Sequence, residues 1–173
     1  MRTKIQNDIK VCELKEKEFK ESIEKKWNVQ LNKLALDYRF DYIVMKNYKP
    51  IAFLEIKKRA FKTTDFNDSM INLNKWMKAK ELRDSSGLPT LLACRYIDKD
   101  IYCKLNMNML DDNIIRFGGR TKNTRDWQDI QPAVHIPMKY FKEIVYKWII
   151  QPLESKSIEP SLPLYIGAGN LCL

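Results

Sequence analysis

The sequence predicts an α/β fold in which a mixed central sheet is flanked by helices. Three observations predict it. Hydrophobic residues recur first with a helical period and then with the two-residue period of strands. A later strand is apolar on both faces, as in a sheet covered from both sides. The 173 residues suit one domain. We expect that domain over residues 1–152, followed by a C-terminal extension, residues 153–173, that packs on the surface or is partly flexible.

A long helix is predicted at the start of the chain, over about Asn7–Trp27. Its apolar face carries, in order, Cys12, Phe19, Ile23 and Trp27. Glu16 falls within the same stripe, so its carboxylate is expected to face the protein body. The alternative is a partly exposed ion pair with Lys20, four residues further on.

The next segment has the period of strands and predicts a three-stranded meander. Its expected strands are Val29–Leu36, Arg39–Met45 and Ile51–Lys57. A second helix is predicted over about Ser69–Ser85, with Asp68 or Ser69 as its N-cap. The residues expected to face inward from this helix are Met70, Leu73, Met77 and Leu82.

The second half of the chain is predicted to complete the sheet. Thr90–Tyr96 is largely apolar, which is typical of a central strand. The other expected elements are, in order, a strand Ile101–Leu105, a weaker strand Ile114–Phe117, a polar loop Gly118–Gln131, a short strand Ala133–Ile136 and an amphipathic helix Lys139–Ile150.

The composition excludes several kinds of active site. The chain has a single histidine, His135, so metal sites built on paired histidines cannot form. Because His135 lies between apolar neighbours, it is expected to be structural. The four cysteines have no Cys-x-x-Cys spacing, and neither a zinc knuckle nor a disulfide framework is expected. Hydrolytic chemistry in this chain must therefore rely on carboxylates, lysines and a bound cation.

The chain is basic, with 31 Lys+Arg against 22 Asp+Glu and a net charge of +9. Residues 1–60 hold fifteen basic and nine acidic side chains, so +6 of that charge lies there. Such an excess of positive charge suggests that the binding partner is a polyanion, most simply nucleic acid. The alternative is that the basic side chains only form an ordinary solvated surface.

No apolar run is long enough to span a membrane, and the N-terminus lacks a signal-peptide core. We therefore expect a cytoplasmic protein, in the host cytoplasm if it is viral.

One hairpin brings charged residues together. With the turn centred on Tyr48, Asp41 lies directly opposite Glu55. Because side chains alternate along a strand, Glu55 shares a face with Lys57 and not with Ile56. Two carboxylates about 5 Å apart repel each other unless a cation lies between them. The alternative is an edge strand whose charged end is simply solvated.

A hard divalent cation would remove this repulsion. Mg²⁺ takes oxygen ligands and keeps several waters, so Asp41, Glu55 and the carbonyl of Ile56 would leave positions for water and a phosphate oxygen. Mn²⁺ is the expected substitute metal. A water activated by the metal could attack a phosphodiester, and Lys57 could orient that water or stabilise charge on the phosphorus.

These residues resemble the PD-(D/E)xK nuclease superfamily, which has a restriction-endonuclease-like αβββαβ core. The resemblance rests on Asp41 and the Glu55-Ile56-Lys57 motif, preceded by a Glu-bearing helix and followed by a helix and an apolar strand. It covers about residues 7–96. The proline of the motif is absent, since Arg39-Phe40 precede Asp41.

The resemblance implies roles for particular residues. Asp41 and Glu55 would bind Mg²⁺ and Lys57 would be the catalytic lysine. An acidic residue of the first helix would complete the metal site, with Glu16 as first candidate and Glu24 as second.

Two further segments resemble small phage-encoded nucleases of this superfamily. In the helix after the motif, over residues 70–76, a polar or basic side chain faces the site, and Lys75 and then Asn72 are the candidates. The second similarity is a Gly-Gly-Arg-Thr loop at residues 118–121, followed by an Asp-Ile-x-Pro-x-x-His-Ile-Pro stretch at residues 129–137.

Several basic residues are candidate DNA contacts. In the glycine-containing loop, Arg120 and Arg125 could clamp phosphates; alternatively, pairing with Asp126 or Asp129 ties down a surface loop. The predicted set of nucleic-acid contacts is Lys75, Asn72, Lys58, Arg59, Arg120 and Arg125.

The leading functional hypothesis is a Mg²⁺-dependent nuclease that hydrolyses DNA phosphodiester bonds with a metal-activated water. The alternative is a catalytically inactive nuclease-fold protein that binds nucleic acid or serves in assembly. A third class binds an acidic protein partner through its basic face. DNA is the expected partner, and no membrane association is expected. The sequence leaves open whether the protein forms a homodimer.

Overall fold

A computed structural model describes residues 2–106, 114–119 and 130–145. The predicted contacts Arg120 and Arg125, the expected extension 153–173 and the end of the last predicted helix lie outside these residues. Within them the helices are α1 (Arg2–Trp27) and α2 (Leu73–Ser86). The strands are β1 (Gln30–Lys33), β2 (Tyr42–Lys46), β3 (Lys49–Lys58), β4 (Asp68–Asn72), β5 (Thr90–Arg95), β6 (Asp100–Lys104), β7 (Ile114–Gly119), β8 (Ile130–Pro137) and β9 (Lys142–Glu143).

The strands form two sheets. The larger has the order β1-β2-β3-β5-β6-β9, and the smaller has the order β4-β8-β7. In the larger sheet β3 and β5 are parallel while the other neighbours are antiparallel. The mixed central sheet flanked by helices is the predicted α/β architecture, with a restriction-endonuclease-like order of elements.

The two helices cover opposite faces of the larger sheet. Phe19, Ile23 and Trp27 of α1 share one apolar core with alternate residues of β3, namely Ala52, Leu54 and Ile56. Trp76, Ala79 and Leu82 of α2 share the other core with Phe53 and with the inner side of the smaller sheet. Because β3 is covered on both faces, the charged residues at its end are held in a largely buried strand.

The hairpin of β2 and β3 sets the position of Asp41. Its turn residues Asn47 and Tyr48 have φ values of 49° and 62°, as in the two-residue turns that match the strand twist. The prediction that Tyr48 alone is the centre of the turn is wrong, because Lys46 pairs with Lys49. A register shift between Val44 and Met45 compensates for this difference, so Tyr42 pairs with Leu54 as predicted. Asp41 directly precedes the paired segment.

The prediction for the start of the second helix is wrong. Residues 68–72 form strand β4, which pairs with β8 so that Ser69 lies opposite Ile136 and Ile71 lies opposite Val134. Helix α2 begins only at Leu73, with Asn72 as its N-cap. This pairing joins segments more than sixty residues apart, which a local helical period cannot reveal. The predicted inward face is confirmed for Leu82, which is buried, and for Leu73, which packs against the core, but it is wrong for Met77, which is 55% exposed. Trp76 and Ala79 are buried instead.

The start of the last predicted helix is also wrong. Met138–Tyr140 is a short 3-10 turn, and Lys142–Glu143 forms β9, which pairs with the edge of β6. The predicted strands near residues 114 and 133 are confirmed and longer than expected. Gly118 and Gly119, which were predicted to lie in a loop, pair with Gln131 and Ile130.

A buried ion pair ties the sheet to α1. Arg95 donates two hydrogen bonds to Asp100, of 2.8 Å to Oδ1 and 2.9 Å to Oδ2, and Lys26 lies 3.2 Å from Oδ2. The Asp100 side chain is only 10% exposed. We expect Asp100→Asn to lower the free energy of unfolding by about 2–3 kcal/mol in urea titrations, because two cations would lose their buried counter-charge. Asp84→Asn, at an exposed helix pair, is the control and should leave the free energy of unfolding nearly unchanged, because exposed ion pairs contribute little.

The same pair predicts a pH dependence. Burial disfavours ionisation of Asp100, but the hydrogen bonds from Arg95 outweigh burial and hold its pKa below the ordinary 3.8. The unfolded chain therefore binds this proton more readily than the folded chain does. The stabilisation is present above about pH 4 and is lost as the pH falls through the folded-state pKa. Unfolding midpoints measured from neutral to acidic pH should fall less steeply in Asp100→Asn.

Candidate active site

Four charged side chains meet at the carboxyl end of β3. Glu55 and Lys57 belong to β3, Asp41 precedes β2, and Lys75 lies on the first turn of α2. The alternation of β3 places Glu55 on the face covered by α2, with Phe53, while Ile56 packs under α1. The structure thus brings together the two carboxylates and the lysine of the predicted motif, together with the predicted helix residue Lys75.

Glu55 is the buried centre of this cluster. Its side chain has no exposed surface, and Lys57 Nζ lies 2.5 Å from its Oε1 while Lys75 Nζ lies 2.7 Å from its Oε2. Burial raises the pKa of Glu55, and the charge of Asp41 raises it further, against the opposite effect of the two lysines. Each oxygen of the carboxylate is therefore matched by an ammonium group in an environment that disfavours its charge.

Asp41 is oriented by the neighbouring strand. Its Oδ2 accepts a 2.9 Å hydrogen bond from the backbone N–H of Ile56, and its Oδ1 lies 3.9 Å from Lys75 Nζ. The backbone carbonyl of Asp41 accepts a 3.0 Å hydrogen bond from Leu34 N–H. These bonds hold the carboxylate beside Glu55 although Asp41 lies outside β2.

The start of α2 fixes Lys75. The Asn72 side chain accepts a 2.8 Å hydrogen bond from Asn74 N–H and so caps the helix. Lys75 then projects towards Glu55 and Asp41, and its ammonium lies 5.9 Å from the centre of the Phe40 ring. A lysine thus provides positive charge between two carboxylates, at the place where their repulsion would favour a divalent cation.

Glu16 approaches the sheet from the opposite face. Its Oε1 accepts hydrogen bonds from Lys33 Nζ at 2.7 Å and from the Tyr42 hydroxyl at 2.8 Å. Burial disfavours its charge, but these two bonds outweigh burial and lower the pKa of Glu16. The alternative partner, Lys20, pairs with Glu24 at 2.8 Å instead.

The second helix candidate for the metal site has a structural contact. Glu24 accepts a 2.7 Å hydrogen bond from Leu31 N–H and so fastens α1 to β1. In the part of the chain that the structure describes, no three acidic, histidine or cysteine side chains converge in a way that could hold a metal. Of the predicted metal-binding side chains, the structure therefore brings together Asp41 and Glu55, which both lie near Lys75 Nζ.

Sequence reasoning missed Lys33 and Tyr42 as partners of Glu16. Lys33 is seventeen residues from Glu16, and Tyr42 is twenty-six residues away. Tyr42 did carry a signal, because it follows Asp41 and must therefore point to the opposite face of the strand. Burial and then the bond to Glu16 raise the pKa of this tyrosine well above its usual range, so it stays a hydrogen-bond donor.

A basic groove of about 540 Å³ adjoins the cluster on the α1 side. Its cationic lining residues are Lys15, Lys57, Lys58, Arg59 and Arg95, and Ile56, Tyr96 and Ile97 contribute apolar surface. Glu16 lies in the same groove. Two predicted DNA contacts, Lys58 and Arg59, thus line a cavity next to the candidate catalytic lysine.

His135 lies in the smaller sheet. Its Nδ1 is 2.8 Å from Asp68 Oδ1, and Arg116 lies 2.8 Å from Asp68 Oδ2. These contacts join β4, β7 and β8 side by side. They are the kind of contact expected of a structural histidine.

The chain matches the family described as "Phage putative PDDEXK endonuclease" over residues 8–144. Comparison with curated proteins finds no significant match. Among the described residues, neither helix has the length and hydropathy of a transmembrane segment. The family match spans most of the chain and includes the hairpin, α2 and both sheets. The chain therefore belongs to the phage PD-(D/E)xK endonuclease family.

Proposed function

We propose that this protein is a Mg²⁺-dependent nuclease that hydrolyses DNA phosphodiester bonds. One observation carries the proposal: a fully buried glutamate at the end of a central strand, beside an oriented aspartate and two lysines. Burying a carboxylate is costly unless it is paired, and a structural core gains nothing from such a group. A catalytic centre explains its presence.

The residues present fit a divalent cation. Asp41 and Glu55 would hold it, with the Ile56 carbonyl as a third oxygen donor, and Glu16 is the proposed additional acid from α1. Mg²⁺ commonly binds through one or two carboxylates, and Mn²⁺ accepts the same oxygen donors. When bound, the cation would supply Lewis acidity and make water a better nucleophile.

Lys57 has two tasks in the proposed mechanism. Its contact with Glu55 holds the ammonium at the end of β3. Because Lys57 also lines the basic groove, its charge would be available to a DNA strand bound there. There it would orient the attacking water and neutralise charge that develops on the phosphate oxygens. The cations Lys58 and Arg59 would bind the neighbouring phosphates, and Arg120 and Arg125 are proposed to add to them.

Cleavage assays with purified protein test the proposal. Circular single-stranded, linear duplex and branched DNA are incubated with Mg²⁺, with Mn²⁺ and with EDTA. We expect cleavage of at least one substrate with either metal and none with EDTA. Salt-dependent DNA binding without any cleavage would instead support the nuclease-fold binding protein, and absence of both would exclude DNA as the partner.

Lys75 is proposed to move aside when a cation binds. We expect Lys75→Met to tighten Mg²⁺ binding by about tenfold in calorimetric titrations, because it removes a positive charge beside both carboxylates. Lys78→Met is the matched control, since Lys78 pairs with Glu81 on the same helix. Weaker Mg²⁺ binding in Lys75→Met would contradict this competition and indicate that Lys75 supports the site.

A further inference from the structure

A second cleft opens beside Lys57, between the end of β3 and the smaller sheet. Its volume is about 230 Å³, below the roughly 300–1,000 Å³ of sites for drug-sized molecules. The lining residues that matter here are Lys57, Arg59, Met70, Asn72, Gly118 and Gln131. A cleft of this size is too small for a duplex, and it can accommodate at most one nucleotide of a single strand.

The two walls of this cleft differ in chemistry. Lys57 and Arg59 make one wall cationic, and Arg59 Nη2 donates a 2.5 Å hydrogen bond to the Met70 carbonyl. That bond ties the guanidinium across to β4 and holds its positive charge at this wall, where a phosphate would be attracted. The described residues that line the opposite wall, from β4, β7 and β8, are uncharged. One wall thus suits a phosphate and the other suits a neutral group attached to it.

Two amide side chains, those of Asn72 and Gln131, line the uncharged wall. Asn72 Nδ2 donates to Gln131 Oε1, while Asn72 Oδ1 accepts from Asn74 N–H. Asn72 is therefore fixed on both sides, and it holds the Gln131 amide in a defined orientation. This contact uses the oxygen of the Gln131 amide, so the amide nitrogen remains as the group that would donate to a ligand. Base edges offer the carbonyl and ring-nitrogen acceptors that such a donor needs.

The backbone at Gly118 keeps this wall narrow. A Cβ atom there would lie 2.7 Å from Met70 Sδ and 3.4 Å from His135 Nε2. Because Gly118 has no Cβ, the Met70 thioether can lie directly against β7, and the wall consists of backbone, amides and a thioether. A flat, uncharged base can lie against such a surface.

We propose that this cleft binds one unpaired nucleotide of the DNA strand next to the cleaved bond. The phosphate lies against Lys57 and Arg59, and the base edge meets Gln131 and Asn72. This inference rests on the proposed function, because it takes Lys57 as the position of cleavage. It narrows the substrate to DNA with unpaired nucleotides, such as a single strand, an overhang or a branch, since a base stacked in a duplex cannot enter.

Fluorescence anisotropy in EDTA tests the inference without cleavage. The probes are a blunt duplex, the same duplex with a short overhang, and that overhang with abasic sites in place of its bases. We expect the wild-type chain to bind the normal overhang about fivefold more tightly than the abasic one. Gln131→Ala should abolish this difference while keeping the salt dependence of binding, which reflects the phosphate contacts.

The control and a second variant make the result decisive. Gln30→Ala changes an exposed glutamine on β1, away from the cleft, and should retain the fivefold difference. Gln131→Glu keeps the side-chain shape but removes the donors, and should abolish the difference even if Gln131→Ala does not fold. Equal binding of normal and abasic overhangs by the wild type would overturn the inference, as would an unchanged difference in either folded Gln131 variant.

Failure of the nuclease proposal gives a different pattern. Base-dependent binding without metal-dependent cleavage would support the cleft and overturn the nuclease. Metal-dependent cleavage with no effect of abasic sites on binding would overturn the cleft alone.

Discussion

Lys57→Ala is expected to lower the rate of DNA cleavage by about 10²–10⁴-fold. Removing a positioned group that orients the nucleophile or stabilises transition-state charge has effects of this size. Lys57 is suited to this role because its ammonium lies 2.5 Å from Glu55 Oε1 while its side chain is 35% exposed, so it contacts both the buried carboxylate and the groove. Single-turnover cleavage of labelled DNA at saturating Mg²⁺ measures the loss.

Lys49→Ala is the matched control for this experiment. Lys49 lies on the same strand, at the exposed hairpin end of β3, and its replacement should leave the rate unchanged. Loss of Lys57 also leaves Glu55 Oε1 without a cation, which costs about 1–3 kcal/mol of stability. Thermal unfolding therefore has to show that Lys57→Ala is folded at the assay temperature. A folded variant that cleaves at the wild-type rate contradicts the assignment of Lys57.

Asp41→Asn is expected to lower cleavage by about 10³-fold or more and to weaken Mg²⁺ binding. An asparagine oxygen can still accept the hydrogen bond from Ile56 N–H, so the hairpin should keep its geometry. What is lost is the negative charge that, with Glu55, would hold the cation, and that charge is worth several kcal/mol in the transition state. Cleavage rates over a range of Mg²⁺ and Mn²⁺ concentrations, together with calorimetric metal titration, measure both effects.

Asp37→Asn controls for the general loss of one acidic charge. Asp37 is exposed in the 3-10 turn Leu36–Tyr38 and should change neither the rate nor metal binding. If Asp41→Asn bound Mg²⁺ as tightly as the wild type, Asp41 would not be a metal ligand. Unchanged DNA binding in EDTA would separate this loss from a loss of substrate affinity.

The fold was predictable where the pattern and the pairing are local. Alternation along β3 and the register of the hairpin place Asp41 beside Glu55 and Lys57, and the apolar run of β5 indicates its central position. The smaller sheet was not predictable in the same way. Its strand β4 has apolar residues that also suit a helix, and it is specified only by pairing with β8, far along the chain.

For the candidate site too, contacts set by the local sequence were predictable, and contacts between distant segments were not. The helix after the motif suggested Lys75, and the structure brings it to Glu55. The partners of Glu16 were not foreseen, because Lys33 and Tyr42 meet it only when α1 packs across two strands. A helical wheel shows which way a side chain points, but it does not show which residues of other elements the side chain contacts.

The pairing of β4 with β8 also bears on the order of events during synthesis. β4 leads directly into α2, which carries Lys75, yet its partner strand follows about sixty residues later. A chain emerging from the ribosome can form the hairpin early, since its contacts are local. The part of the α2 core that comes from β8, including Val134 and Ile136, is present only once residues 130–137 have been made. The proposed catalytic cluster would therefore be fully packed only after β8 has been made, and products truncated before β8 would carry the Glu55-Ile56-Lys57 motif without the strand that pairs with β4.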